Sequence, residues 1–305
     1  MSTWLVTGGC GFIGSHLVEA LLARGDRVRV LDDLSTGKRE NIPRVVDLRV
    51  GSVTDTEMLE AALEGTAGCF HLAAVASVQR CIEDWIGSHR VNLTGTIAVL
   101  QSAARARQPP LPVVYASSAA VYGDNPALPL NETAATRPLS SYGVDKLAAE
   151  LHAAVAWSIH GVPSVGLRFF NVYGHRQDPA SPYSGVISIF TGRVAQGRDI
   201  EVFGDGEQTR DFVFVADTVA HLLAAMEKLT SGARVLNVCT GRATSILQLA
   251  TIVRQLSGKS CRIQHRSART GDIRASLGDP TNAIEFLGLR AETGLAEGLS
   301  QTARS

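Results

Sequence analysis

Gly8-Gly9-Cys10-Gly11-Phe12-Ile13-Gly14 follows the β-branched run Thr3-Trp4-Leu5-Val6-Thr7 directly and opens an apolar helical pattern over Ile13–Arg24. Glycines at every third position let a backbone turn sharply and approach an anion closely. A helix N-terminus placed there favours a pyrophosphate. Glycine spacing alone is weak evidence, but its position between a strand and a helix turns it into a dinucleotide fingerprint.

Outward from that loop, β-branched runs at Val28–Asp32, Val45–Val50, Gly68–Leu72 and Pro112–Ser117 predict further strands. Helical patterns at Asp55–Leu63, His89–Arg107 and Tyr142–His160 separate them, and Ser164–Arg168 reads as another strand. Alternation of this kind predicts an α/β fold with a doubly wound parallel sheet of the Rossmann type. After Asn171 the chain becomes rich in Gly, Pro, Ser and Asp, with one helical segment at Gly185–Ala195. Phe212–Val215 and Val235–Val238 read as strands returning to the main sheet, and the tail from Thr244 carries two helical patterns and a loop over Arg266–Asp279. The expected organisation is a nucleotide-binding domain of residues 1–170 and 211–240, with a smaller discontinuous α/β lobe of residues 171–210 and 241–305.

Composition narrows the function classes. Lys plus Arg and Asp plus Glu balance at 29 each, so no global field favours nucleic acid or an anionic membrane. The longest apolar candidate, Ala67–Val78, is too short to span a bilayer and is interrupted by His71. The N-terminus has no basic region of a secretory signal. The five cysteines are odd in number and lack metal-ligand spacing, so they read as reduced thiols in a cytoplasmic protein, with no metal expected.

Two features carry chemistry. The second strand ends in Asp32-Asp33, and a carboxylate about 20 residues beyond the glycine loop can accept both adenosine ribose hydroxyls while repelling a 2′-phosphate. This favours NAD over NADP at Asp32 and leaves Asp33 as a turn residue. Tyr142-Gly143-Val144-Asp145-Lys146 places a tyrosine and a lysine four apart on one helix face. A free phenol titrates near 10, and a neighbouring ammonium is expected to lower it. Upstream, a strand ends in Ser117-Ser118-Ala119-Ala120-Val121-Tyr122-Gly123, where a serine can bond a substrate hydroxyl that loses its proton.

In this order and spacing, the chain resembles the extended short-chain dehydrogenase/reductases that act on nucleotide sugars and, within them, the UDP-hexose 4-epimerases. Val6–Gly14, Leu31–Asn41, His71–Ala74, Tyr115–Gly123, Tyr142–Lys146, Arg168–Gly174, Gly204–Val215 and Arg269–Asp279 carry the resemblance across nearly the whole chain. It implies Tyr142 as base, Lys146 as the group that holds the nicotinamide ribose and tunes Tyr142, and Ser118 as the bridge to the sugar hydroxyl. It implies NAD contacts from Gly8, Gly11, Phe12, Ile13, Gly14, Asp32, Ser35, Thr36, Gly37, Ser52, Val53, Leu72, Ala73, Ala74, Tyr142 and Lys146. Ser52 stands where many relatives carry an adenine-binding aspartate. The resemblance further implies Asn171 on the substrate diphosphate, Arg210 and Arg269 on phosphate, and Asp272 on the uridine ribose. Ala76, Ser77, Ser118, Gly185, Val186 and Ser276 would line the sugar pocket.

One scaffold hosts several reactions, so the choice among them rests on the site. Ala119 and Ala120 occupy the positions of the Asp-Glu pair with which related 4,6-dehydratases eliminate water, and neither alanine titrates. Asp178 stands where enzymes of UDP-glucuronic acid carry an arginine, and a carboxylate there would repel that substrate. The expected reaction is therefore redox-neutral inversion at C4 of a neutral hexose through a 4-keto intermediate. By the same resemblance, the residue four beyond the uridine-ribose aspartate walls the C2 substituent; here it is small Ser276, which implies acceptance of UDP-N-acetylhexosamines beside UDP-glucose and UDP-galactose. A restricted UDP-glucose 4-epimerase, a sugar-nucleotide reductase and a non-catalytic NAD-binding module are the alternatives. Ala98, Ala103, Ala104, Ala148, Ala149, Ala153 and Ala154 allow close helix packing, and relatives pair these two helices in a homodimer.

Overall fold

Seven parallel strands make the main sheet: β1 Thr3–Thr7, β2 Arg27–Asp32, β3 Asp47–Val50, β4 Gly68–His71, β5 Val113–Ser118, β6 Ser164–Phe169 and, later in the chain, β10 Ala233–Val238. Between β6 and β10 come β7 Asn171–Tyr173, β8 Ile200–Phe203 and β9 Thr209–Phe214; β11 Ala243–Ser245 and β12 Ile263–Arg266 follow. The helices are α1 Phe12–Ala23, α2 Thr56–Leu63, α3 Val78–Glu83, α4 Trp85–His89, α5 Gly95–Ala106, α6 Ser141–His160, α7 Val186–Ala195, α8 Val215–Lys228, α9 Ile246–Ser257, α10 Thr281–Leu287 and α11 Leu295–Arg304. The computed structural model describes residues 1–177, 185–269 and 271–304.

The main sheet runs in the order β10-β6-β5-β4-β1-β2-β3. Its faces are covered differently. Leu17, Val18 and Leu21 of α1 with Val219, Leu222 and Ala225 of α8 fill one side. Leu59 and Ala62 of α2, Ala98 and Val99 of α5, and Ala153 and Ala156 of α6 fill the other. The sheet is thus doubly wound, as the alternation of strands and helices predicts. Strand order reverses between β1 and β4, the crevice where open α/β sheets take their ligands.

Val235–Val238 returns to this sheet as expected, but the strand read at Phe212–Val215 does not. It is β9, which sits in a three-stranded sheet between β11 and β7. The edge of the main sheet beside β6 is taken by β10, and β7 follows β6 after Phe170 alone, so it supplies a second edge for β9. β8 and β12 form a separate parallel pair. The tail holds three helices, not two. The segment read as one helix over His89–Arg107 contains a wide π turn at Arg90–Thr94. There the Asn92 side chain leaves the helix to bond Val75, accepting from its N–H at 2.8 Å and donating to its carbonyl at 3.2 Å.

Local contacts at the first turn explain the glycine spacing. Gly8 adopts φ +69°, and a Cβ there would lie 2.7 Å from the Ala73 nitrogen. A Cβ on Gly14 would stand 2.1 Å from the Gly8 carbonyl oxygen, so α1 packs on the loop only if that carbon is missing. Gly14→Ala should therefore destabilise the protein by about 1–3 kcal/mol through overpacking and displace the loop. Thermal unfolding should show a lowered Tm, and nucleotide analysis after denaturation should find NAD(H) released by the parent protein and much less from the variant. An unchanged Tm and nucleotide content would contradict this account.

Candidate active site

The crevice at the β1–β4 reversal is lined by Gly8, Gly11, Asp32, Ser35, Thr36, Gly37, Ser52, Val53, Leu72, Ala73 and Ala74, eleven of the positions expected to hold cofactor. Its floor suits a dinucleotide. Gly11 is the N-cap of α1 with no side-chain cap and no acidic residue in the first turn, so the leading N–H groups stay available to an anion. At the end of β2 the buried Asp32 carboxylate accepts from the N–H groups of Cys10 and Leu34, each at 2.9 Å. Burial pushes its pKa up and those two bonds oppose the rise. Asp33 accepts from Ser35 N–H at 2.9 Å, the turn role expected of it, and also lines the crevice. The Ser52 hydroxyl is engaged within its own loop, 2.8 Å from the Thr54 hydroxyl.

Phe12 and Ile13 supply the first N–H groups of α1, while their side chains point away from the crevice. Both pack against the core of the smaller lobe, and Phe12 meets the edge of His16. Sequence reading missed Val75, Arg80, Asp84, Gly87, Ser88 and Val91, which line the crevice from α3, α4 and their flanks. No motif marks them; only the return of this segment over the crevice brings them in, and Arg80 adds a cation.

The catalytic candidates come together where β5 ends. Ser118 closes that strand, where its hydroxyl accepts from the Ala120 N–H at 3.2 Å, and Tyr142 stands on the first turn of α6, near enough for Ser118 to lower its phenol. The Lys146 ammonium is buried, donates to the Ala116 carbonyl at 2.8 Å and stands 5.7 Å from the Tyr142 ring centroid. Their titration differs from the expectation. Burial pushes the Tyr142 phenol up to about 12, with Ser118 opposing it. Burial brings Lys146 down to about 8, against the charges of Asp145, Cys81 and Glu150. Desolvation of the charged form sets the phenol, and the lowering expected from Lys146 is not among its determinants.

Of the substrate candidates, the structure pairs Arg210 with Asp272. Arg210 donates to the carbonyls of Thr209 and Ile273 at 2.8 and 2.7 Å and pairs with Asp272. It does not pair with neighbouring Asp211, whose buried carboxylate receives the N–H and hydroxyl of Thr240 and the N–H of Gly241. The Arg269 guanidinium lies 3.8 Å above the centroid of the Phe203 ring. Ser276 is half-buried, its N–H bonded to Thr209 oxygen at 3.1 Å, next to Arg210. Asn171 is exposed at the start of β7, Gly185 caps α7 and Val186 begins it. Ala76 is exposed, and Ser77 caps α3 by accepting from Arg80 N–H. Asp178 lies outside the described residues.

The profile of the NAD dependent epimerase/dehydratase family matches residues 4–239. The chain belongs to that family. It is an NAD-dependent enzyme with the Rossmann-type sheet that the sequence predicts. It is 37% identical to a UDP-glucose 4-epimerase of Mycolicibacterium smegmatis, the match covering 98% of this chain and 96% of the relative. Among solved structures, the UDP-glucose 4-epimerase of Thermotoga maritima with UDP-glucose superposes with a TM-score of 0.94 at 37% identity, covering 99% of this chain and 97% of that one. The UDP-N-acetylglucosamine 4-epimerase of Methanobrevibacter ruminantium, in complex with UDP-N-acetylmuramic acid, gives a TM-score of 0.94 at 32% identity, with the same coverage of each chain.

If Tyr142 is the base, its removal should be the most damaging change. Tyr142→Phe should lower turnover by at least about a hundredfold while NAD stays bound, and comparable turnover would contradict the assignment. Lys146→Ala removes the nearest ammonium, so the phenol pKa should rise and the ascending limb of the pH–rate profile should move to higher pH. A profile that stays in place would remove Lys146 from any electrostatic role.

Proposed function

We propose that the enzyme inverts C4 of UDP-hexoses with tightly held NAD, acting on UDP-N-acetylglucosamine and UDP-N-acetylgalactosamine as well as on UDP-glucose and UDP-galactose, and that it works as a cytoplasmic homodimer. The observation that carries this reading is the Ser118–Tyr142–Lys146 constellation followed by Ala119 and Ala120, a site able to move one proton at a sugar hydroxyl and unable to supply the acid and base of an elimination. Relatives and structural neighbours named as 4-epimerases of UDP-sugars support it. Residues 1–170 and 211–240 are assigned to NAD and residues 171–210 and 241–305 to the UDP-sugar.

Bound NAD supplies a two-electron acceptor and donor and, when oxidised, a positive ring. The chain's own residues do the rest. Tyr142 is a phenol at neutral pH in the site as built, since burial holds it near 12. Additional positive charge would favour its ionised form, after which Tyr142 takes the 4-hydroxyl proton through Ser118 and later returns it. Lys146 holds one catalytic segment on the other through Ala116. Arg210 and Arg269 bind the diphosphate, which answers the need for local positive charge in a chain of net charge zero. For that, Arg210 exchanges its pairing with Asp272 for phosphate, and Asp272 turns to the uridine ribose.

The acetyl reading rests on Ser276, held beside Arg210 by its backbone bond to Thr209. Proton NMR of UDP-hexoses incubated without added cofactor should show C4 epimers of both the plain and the N-acetyl sugars. Ser276→Tyr should abolish the N-acetyl reaction and spare UDP-glucose. Absence of UDP-N-acetylglucosamine turnover at millimolar substrate would leave a UDP-glucose 4-epimerase restricted to plain sugars.

Ala98, Ala103, Ala149 and Ala153 are buried in the chain's own core, Ala104 and Ala148 are half-buried and Ala154 is exposed. The apolar surface comes from larger residues: Val144, Leu151 and Val155 on α6 are 50%, 63% and 51% exposed, beside Trp85 and Ile86 of α4. Their spacing on α6 makes one stripe, suited to a second copy. Light scattering at micromolar concentration should give a dimer mass, and Leu151→Asp should shift it to monomer. A monomer mass for the parent protein would contradict the proposal. Four of the five cysteines are buried and all are free thiols, which suits a reducing cytoplasm.

A further inference from the structure

Beneath the catalytic residues lies a buried polar network that the proposed reaction does not use. Tyr142, Lys146 and Glu150 stand four residues apart along α6, and each meets one of three consecutive residues at the end of β5. Tyr142 stands near Ser118, which lowers its phenol, Lys146 donates to Ala116 at 2.8 Å, and Glu150 Oε1 accepts from the Ser117 hydroxyl at 2.5 Å. The third rung is itself braced. Arg168 of β6, paired in register with Ser117, donates from Nε to Glu150 Oε1 at 2.9 Å and from Nη2 to Oε2 at 2.7 Å. Its Nη1 donates to the Tyr122 hydroxyl at 2.9 Å and the Glu132 carbonyl at 3.1 Å. Ser117, Glu150 and Arg168 are 2%, 7% and 5% exposed.

A buried ion pair is a poor source of stability, because desolvation offsets the attraction and apolar residues of similar volume hold a core as well. A bidentate guanidinium–carboxylate pair has fixed geometry, which dispersion contacts lack. Here that geometry bears on two elements at once, the penultimate residue of β5 and the helix turn after Lys146. We propose that Ser117, Glu150 and Arg168 are positioning residues that set the register of α6 against β5 and so fix Ser118 against Tyr142. In its catalytic form this inference rests on the proposed 4-epimerisation.

Ser117→Ala tests it most cleanly, since it removes one hydrogen bond and no charge and leaves the Glu150–Arg168 pair intact. A catalytic group displaced by a fraction of an ångström loses rate while the remote UDP contacts keep their affinity. With UDP-glucose, kcat should fall about tenfold, with KM, bound NAD and Tm essentially unchanged. Unchanged kcat would overturn the proposal, as would a loss confined to KM or accompanied by loss of NAD. Should the parent enzyme not epimerise UDP-glucose, the proposed function fails, and amide hydrogen exchange decides the positioning separately. Faster exchange over residues 116–120 of Ser117→Ala, with β1 unaffected, would support it, and identical exchange would overturn it.

Discussion

The buried Lys146 ammonium, bonded to the Ala116 carbonyl at the end of β5, is the contact around which the site is arranged. It joins a sheet strand to a helix through a charge that burial disfavours, which is why the ammonium is brought down to about 8. Parallel sheets leave carbonyl groups unpaired at strand ends, and a cation there answers one of them. Once α6 is tied to β5 in this way, Tyr142 one turn earlier is brought near Ser118, and Glu150 one turn later bonds Ser117.

In the proposed reading, cofactor and substrate are held by different parts of the chain. The crevice at the β1–β4 reversal offers an uncapped helix N-terminus and the Asp32 carboxylate, groups for a pyrophosphate and a ribose. The smaller lobe offers Arg210, Arg269 and Asp272, the first already paired with the third. A buried chain runs from β6 toward residues 277–279: Arg168 donates to Tyr122, whose hydroxyl donates to Asn237 at 2.7 Å, and Asn237 donates to the Leu130 carbonyl at 2.8 Å. Leu130 in turn bonds Leu277 and Asp279 through its backbone, at the end of the segment that begins with Arg269.

Features encoded locally were legible in the sequence. The Thr3–Thr7 strand, the glycine turn and the Tyr142–Lys146 spacing on one helix each follow from a short-range pattern, and the structure places the candidates Ser118, Tyr142 and Lys146 where β5 ends and α6 begins. What failed depended on distant groups. The main-sheet edge for Phe212–Val215 was lost to β10, which no pattern within the strand reveals. The π turn follows from Asn92 reaching Val75, and the crevice residues of α3 and α4 follow from how that segment folds back. The Tyr142 phenol went the other way from the expectation because an (i, i+4) spacing states the neighbour but not the solvent, and here burial dominates.

The central claim is that one tyrosine and one bound NAD carry C4 through a ketone and back inside a closed site. Deuterium placed at C4 of UDP-glucose tests it directly, with the enzyme free of added cofactor and the products read by NMR and mass spectrometry. The account predicts UDP-galactose with the label retained at C4 and none exchanged with solvent. Loss of the label to water, or turnover only when external nucleotide is supplied, would contradict it.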